Sequence, residues 1–132
     1  MPYLNVRLAA PESTTTAQQV AQLLTTLATD TLGKAHDVVA VDVQFAEPAH
    51  WFVGGQATAD QDTATFYIEI KVTTGTNTRD EKARFIAKTF SGMQAILGPV
   101  NPASYVVVKN VDADDWGFGG KTQAYRYIAP QL

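Results

Sequence analysis

Chemistry in this sequence is looked for first at its second residue. Pro2 is small enough to let Met1 be removed, which would leave a secondary amine. Such an amine exchanges protons near pH 7 only where an apolar setting or a nearby cation lowers its pKa. Five cations are candidates to hold a substrate carboxylate: Arg7, Lys34, Lys71, Arg79 and Lys109. Each reads equally as surface charge, and Arg79 also stands where a helix begins. Asp37 has the chemistry to activate water or orient a carbonyl, or simply to cap a turn. Trp116 and Phe118 lie in a Gly/aromatic run and are candidates for a pocket wall, with core packing as the plainer role. Trp51 and Phe52 have the same two roles open, or cover a seam between subunits. His36 and His50 lack close ligand spacing, so no metal site is expected. The chain has no cysteine, which removes thiolate catalysis, disulfides and Cys-based metal sites. Gly117 to Gly120 does not follow the strand–loop–helix grammar of a nucleotide site.

These residues need elements to hold them. Residues 3–9 alternate in character and predict a strand that Pro11 breaks. A cap among Ser13 to Thr16 opens an amphipathic helix over 16–32, which Gly33 ends. Residues 38–45 are rich in β-branched side chains and predict a second strand. The pattern then recurs. Residues 66–72 echo residues 2–8, a helix is expected over 78–97 with a stripe of Ile86, Phe90, Met93 and Leu97, and residues 105–108 close the unit as a strand. Between the units, Trp51 to Gly55 predicts a short hairpin bent at Gly54 and Gly55.

A tandem β-α-β pair, about residues 2–45 and 66–109 with a C-terminal Gly/aromatic tail, is the expected organisation of a single α+β domain. Its simplest form is a four-stranded mixed sheet with both helices on one face. The second face has no helix to cover it, and the strands at 38–43 and 105–108 read as apolar on both sides. Assembly with further copies is therefore expected.

Composition bounds the function. Of the 132 residues 45% are hydrophobic and 17% charged, and the net charge is −3 with signs interspersed, so no basic stripe for nucleic acid is present. No run approaches a membrane span, and the start of the chain lacks a signal-like apolar stretch. A cytoplasmic protein without disulfides is the expectation.

This layout resembles the tautomerase superfamily in its long-chain form of two fused β-α-β units. Trp51-Phe52-Val53-Gly54-Gly55 is similar to a stretch of cis-3-chloroacrylic acid dehalogenase. Asp112-Ala113-Asp114-Asp115-Trp116-Gly117-Phe118-Gly119 resembles a loop of malonate semialdehyde decarboxylase, whose aspartate Asp37 also matches. Lys34 matches the active-site lysine of macrophage migration inhibitory factor. The resemblance implies a homotrimer that uses Pro2 as general base and acid without a cofactor, on a small carboxylate-bearing substrate. Keto–enol isomerisation of 2-oxo or dienol acids is the implied reaction. The alternatives are decarboxylation or hydration of a small oxo or unsaturated acid, or a noncatalytic trimeric scaffold. In a trimer Arg7 would come from a neighbouring subunit. One departure stands out: where the dehalogenase and decarboxylase carry two arginines, this chain has Thr73-Thr74-Gly75-Thr76-Asn77-Thr78.

Overall fold

The computed structural model describes residues 2–128. Strand β1 (Tyr3–Ala9) leads into helix α1 (Thr14–Leu32) and strand β2 (Ala40–Ala46). A hairpin of β3 (Phe52–Val53) and β4 (Gln56–Ala57) follows. The second unit is β5 (Thr65–Thr73), α2 (Arg79–Leu97) and β6 (Tyr105–Val111). Last come a hairpin of β7 (Gly117–Phe118) and β8 (Lys121–Thr122), then the short helix α3 (Gln123–Ile128). The four long strands form one sheet in the order β2-β1-β5-β6, with β1 and β5 antiparallel at the centre and each outer strand parallel to its inner neighbour.

The core lies between the sheet and both helices. Leu4, Val6 and Leu8 from β1 and Phe66, Ile68, Ile70 and Val72 from β5 are inaccessible to solvent. Val20, Leu24 and Ala28 of α1 and Phe85 and Met93 of α2 close over them. The buried stripe of α2 is Phe85, Thr89 and Met93, while Ile86 is 39% exposed. The expected stripe was thus one residue late in the first half of the helix. Four-residue steps from Met93 lead back to Phe85, and Ile86 falls about 100° away at 3.6 residues per turn. The partly buried Phe90, Ile96 and Leu97 do pack against the core.

The other face of the sheet departs from the apolar surface expected of it. Val41, Val43, Val106 and Val108 turn inward to the core. By strand alternation the open face carries Tyr3, Asn5 and Arg7, then Asp42 and Gln44, then Tyr67, Glu69 and Lys71, and finally Tyr105, Val107 and Lys109. It is a surface of aromatic rings and paired charges, with Tyr3 Oη donating to Asp42 at 2.9 Å and Lys71 bridging to Glu69 at 3.3 Å.

The repeat reaches further than the strands and helices. Each helix has 19 residues, and the caps Ser13 and Thr78 lie 65 positions apart. Trp51 and Trp116 keep that spacing, as do Gly54-Gly55 and Gly119-Gly120, whose positive φ angles turn the two hairpins. The backbone bonds recur as well: Thr58 N–H to Trp51 O at 2.8 Å, and Gln123 N–H to Trp116 O at 3.0 Å. The tail is therefore the second copy of the 51–58 hairpin. A Trp-x-x-Gly-Gly recurrence carried this signal in the sequence.

Helices α1 and α2 pack together at Gly92, where an added Cβ would lie 2.6 Å from Leu23 Cδ1. Gly92→Val should lower stability by about 1–3 kcal/mol through overpacking, read as a fall in the urea midpoint. An unchanged midpoint would show that the contact has room to relax.

Candidate active site

Antiparallel pairing brings the start of β1 beside the end of β5, with Tyr3 opposite Lys71. Helix α1 runs back along β1 and ends at that same edge, where α2 begins. The end of β6 and the second hairpin arrive there too. Pro2 therefore lies at this end of the sheet, and it is buried. Its carbonyl accepts the Ala40 N–H at 3.3 Å, which fixes the residue against β2.

Lys34 is positioned by the way α1 stops. Gly33 adopts φ 69°, and the Gly33 and Lys34 amides close on the Thr29 and Ala28 carbonyls, both at 3.1 Å. This left-handed turn directs Lys34 across to the β5–α2 loop, where Nζ donates to Thr76 Oγ1 at 3.0 Å. Thr76 in turn donates to the Thr73 carbonyl at 2.6 Å. Asn77 ties the two helices together, donating to Leu32 O at 2.8 Å and to Glu81 Oε1 at 3.4 Å. Thr78 and Glu81 complete a reciprocal capping box on α2.

Electrostatics follow from this packing. Partial burial pushes the Lys34 ammonium below the ordinary lysine range, and the Glu81 carboxylate partly offsets that. Glu81 is itself held low by the Thr78 amide and the Asn77 side chain. On the open face the Tyr3 hydroxyl is raised, first by its bond to Asp42.

The second hairpin closes this end. Trp116 Nε1 donates to Thr73 Oγ1 at 3.3 Å, and Thr74 Oγ1 donates to Asp112 Oδ1 at 2.9 Å. Phe118 is 43% exposed with the Arg126 guanidinium 4.2 Å from its ring centre. The structure thus gathers Pro2, Lys34, Trp116 and Phe118 at one end of the sheet. Where the sequence lacks the two arginines, the fold shows Thr76 and Thr73 supplying hydroxyls that bond Lys34 and Trp116, and Asn77 an amide that bonds Leu32.

The other candidates stand apart within one chain. Asp37 has a side chain 98% exposed, and among the described residues its side-chain hydrogen bond is to His36, at 3.3 Å. Arg79 is exposed as the first residue of α2, the helix-opening role already open to it. Arg7 sits on the open face, about 13 Å along β1 from Tyr3 at 3.3 Å per residue. Lys109 lies on that face beside Lys71. Among the described residues no group of three or more His, Asp or Glu side chains is placed to hold a metal, and no helix is long and apolar enough to cross a membrane.

Two clefts open at the opposite end of the sheet. One of about 460 Å³ lies between Pro11, Thr58, Thr63 and Pro99, and the other between Pro11, Phe45 and Pro48. Their charged lining residues are Asp62, Glu12 and Glu47. Carboxylates there would repel an anionic ligand.

A family model described as Tautomerase enzyme matches residues 67–125, somewhat less than half of the chain. No curated protein matches the sequence. Several solved structures match its shape over nearly their whole lengths. Q0 fused 4-OT, a wild-type symmetric trimer, has TM-score 0.80 and 19% identity, over 92% of this chain and 96% of that one. F6 fused 4-OT, a wild-type asymmetric trimer, has TM-score 0.82 and 22% identity, over 94% and 98%. Pt0534 inactivated by 2-oxo-3-pentynoate has TM-score 0.82 and 14% identity, over 94% and 98%.

Lys34 is half-buried with no carboxylate in ion-pair contact among the described residues. Lys34→Met should therefore keep or raise the melting temperature at pH 7. A lysine whose folded pKa is lowered binds fewer protons folded than unfolded, so wild-type stability should climb relative to the variant between that lowered value and the ordinary lysine value. A variant that melts well below wild type at pH 7 would mean that Lys34 stabilises the fold. The four-stranded sheet of fused β-α-β units, with its two helices on one face, is the fold shared with these fused 4-OT structures.

Proposed function

We propose that the chain is a cofactor-independent tautomerase that isomerises small 2-oxo or dienol acids, with the Pro2 amine as general base and then general acid. The observation that carries this reading is the burial of Pro2 at the end of the sheet where Lys34 and the threonine-rich loop converge. Burial disfavours the protonated amine, as would an ammonium such as Lys34 at the same end of the sheet, and this would leave it neutral at the pH where it must accept a proton.

The proton transfers then balance within one substrate. Neutral Pro2 takes the enol O–H proton as the C=C electron pair moves to carbon, and the protonated amine returns that proton to the carbon. Lys34 holds the substrate carboxylate, with the Thr76 hydroxyl fixing the direction of its Nζ. Trp116 and Phe118 form the apolar wall. With one lysine and neutral hydroxyls in place of two arginines, this chain's own grip suits a single carboxylate. Pt0534 shares the fold and is inactivated by a small 2-oxo acid, which is the class of ligand proposed for this site. Hydration would need a carboxylate to activate water, and the exposed Asp37, bonded to His36, does not favour it.

The working unit in this reading is a homotrimer. Fused 4-OT proteins of this fold form trimers, and the aromatic open face of the sheet gives this chain a surface to bury. Arg7 and Lys109 would reach a Pro2 site only across a boundary between copies.

Intact mass should show Met1 removed, and phenylenolpyruvate should be ketonised with a rate that rises with pH to a plateau as a group titrates below neutrality. Pro2→Ala should lower that rate by about 10²–10⁴-fold. Equal background rates in both proteins, or a retained Met1, would contradict the assignment and leave a noncatalytic scaffold or a different reaction.

A further inference from the structure

The two hairpins are copies of one another, yet they finish their hydrogen bonding differently. At the spacing of 65, Thr58 and Gln61 of the first correspond to Gln123 and Arg126 of the second. The first hairpin closes on itself. Thr58 Oγ1 donates to the Pro48 carbonyl at 3.1 Å, and Gln61 Nε2 donates to the Gln56 carbonyl at 2.7 Å. Gln61 Oε1 accepts from Asn101 Nδ2 at 3.0 Å. The second hairpin stays open. Gln123 is only 9% exposed, and its Nε2 has no partner among the described residues. Its Oε1 accepts from Arg126 Nη1 at a long 3.4 Å.

We propose that Arg126 and Gln123 form an anion site on the second hairpin, and that its ligand is a small carboxylate. The Arg126 guanidinium lies over the Phe118 ring, with Cζ 4.2 Å from the ring centre. That stacking occupies one flat face of the fork and leaves the N–H groups of its edge to bond in the plane. Arg126 is partly buried and makes no ion pair among the described residues, although Asp112, Asp114 and Asp115 precede Trp116 on the same segment. Asp112 is engaged elsewhere, by Thr74 Oγ1 at 2.9 Å. Lys121, exposed on β8, adds a second positive charge to the hairpin.

A buried amide donor without an acceptor is costly, and so is a guanidinium drawn partly out of water without a counter-charge. One carboxylate meets both needs. Its two oxygens match the paired N–H groups of a guanidinium edge, and one of them also accepts from Gln123 Nε2. Turning the amide over gives no relief, since it sets Nε2 against the Arg126 donors. A ligand entering between the two side chains replaces the 3.4 Å contact with charge-assisted bonds. The matching place in the first hairpin holds neutral Thr58 and Gln61, both already bonded, so the site belongs to the second hairpin. On the tautomerase reading above Phe118 is part of the apolar wall, which sets the bound carboxylate beside that wall; the site itself does not depend on that reading.

The test is an NMR titration of ¹⁵N-labelled protein with sodium acetate and, separately, with phenylpyruvate, both at constant ionic strength. In the wild type the Gln123 side-chain amide and the Arg126 Nε–H signals should shift and saturate. Arg126→Gln installs the residue that the first hairpin already accommodates at Gln61, and it should abolish the saturating shift of the Gln123 amide. Arg126→Lys keeps the charge, loses the fork and should bind more weakly. Saturation with both ligands assigns the site to carboxylates in general, and saturation with phenylpyruvate alone assigns it to the acid of the reaction. No saturating shift with either ligand, or an equal shift in Arg126→Gln, would overturn the proposal. Phenylenolpyruvate turnover in the same samples keeps the two readings apart. An inactive protein that shows the shift loses the tautomerase assignment and keeps the anion site; an active one without the shift loses the anion site alone.

Discussion

The antiparallel pairing of β1 with β5 is the constraint on which the rest of this molecule depends. Leu4, Val6 and Leu8 face Ile70, Ile68 and Phe66 in register, and all six are fully buried. A slip of one residue would turn each of those side chains to the open face, so the register is strongly held. Once Tyr3 is fixed opposite Lys71, Pro2 must lie at the end of β5. The helix that returns from β1 and the helix that departs after β5 must then meet beside it. The Lys34–Thr76 and Asn77–Leu32 bonds fasten that junction. The chemistry proposed for the site thus follows from the packing of two alternating strands.

The internal repeat builds the same end twice and equips only one for acid–base work. Inward-facing positions of β1 and β5 correspond at a spacing of 64, which sets Phe66 where the first unit has Pro2. The Phe66 amide donates to the Ser104 hydroxyl at 3.3 Å, so that position offers no free amine. At the helix spacing of 65, Pro99 stands in place of Lys34, and the clefts nearby carry Glu12, Glu47 and Asp62. One scaffold holds a candidate amine and a cation at one end, and at the equivalent positions of the other it holds Phe66 and Pro99.

Much of this was legible because the signals were local. Alternation, caps and stop glycines placed the strands and helices, and Gly54-Gly55 announced the first hairpin. The stripe of α2 misled because Ile86 and Phe90 keep helical spacing as well as Phe85 and Thr89 do, and only packing decides between the two. The open face misled for a related reason: a run such as Val106-Val107-Val108 shows hydrophobicity without showing which neighbours the alternate side chains share. At the site, Pro2, Lys34 and Trp116 stood out by type. Thr76 and Asn77 did not, because their part depends on contacts with residues more than forty positions away. Asp37, Arg79 and Arg7 have suitable chemistry, and the topology sets them facing solvent or along the sheet.

The central claim is that burial at this junction keeps the Pro2 amine neutral near pH 7, and titration of the proline nitrogen by ¹⁵N NMR tests it most directly. The account predicts a pKa well below the value of about 8 usual for a chain-terminal amine, rising toward that range in Lys34→Met. A Pro2 nitrogen that titrates at or above about 8, or one locked in an amide to Met1, would contradict it.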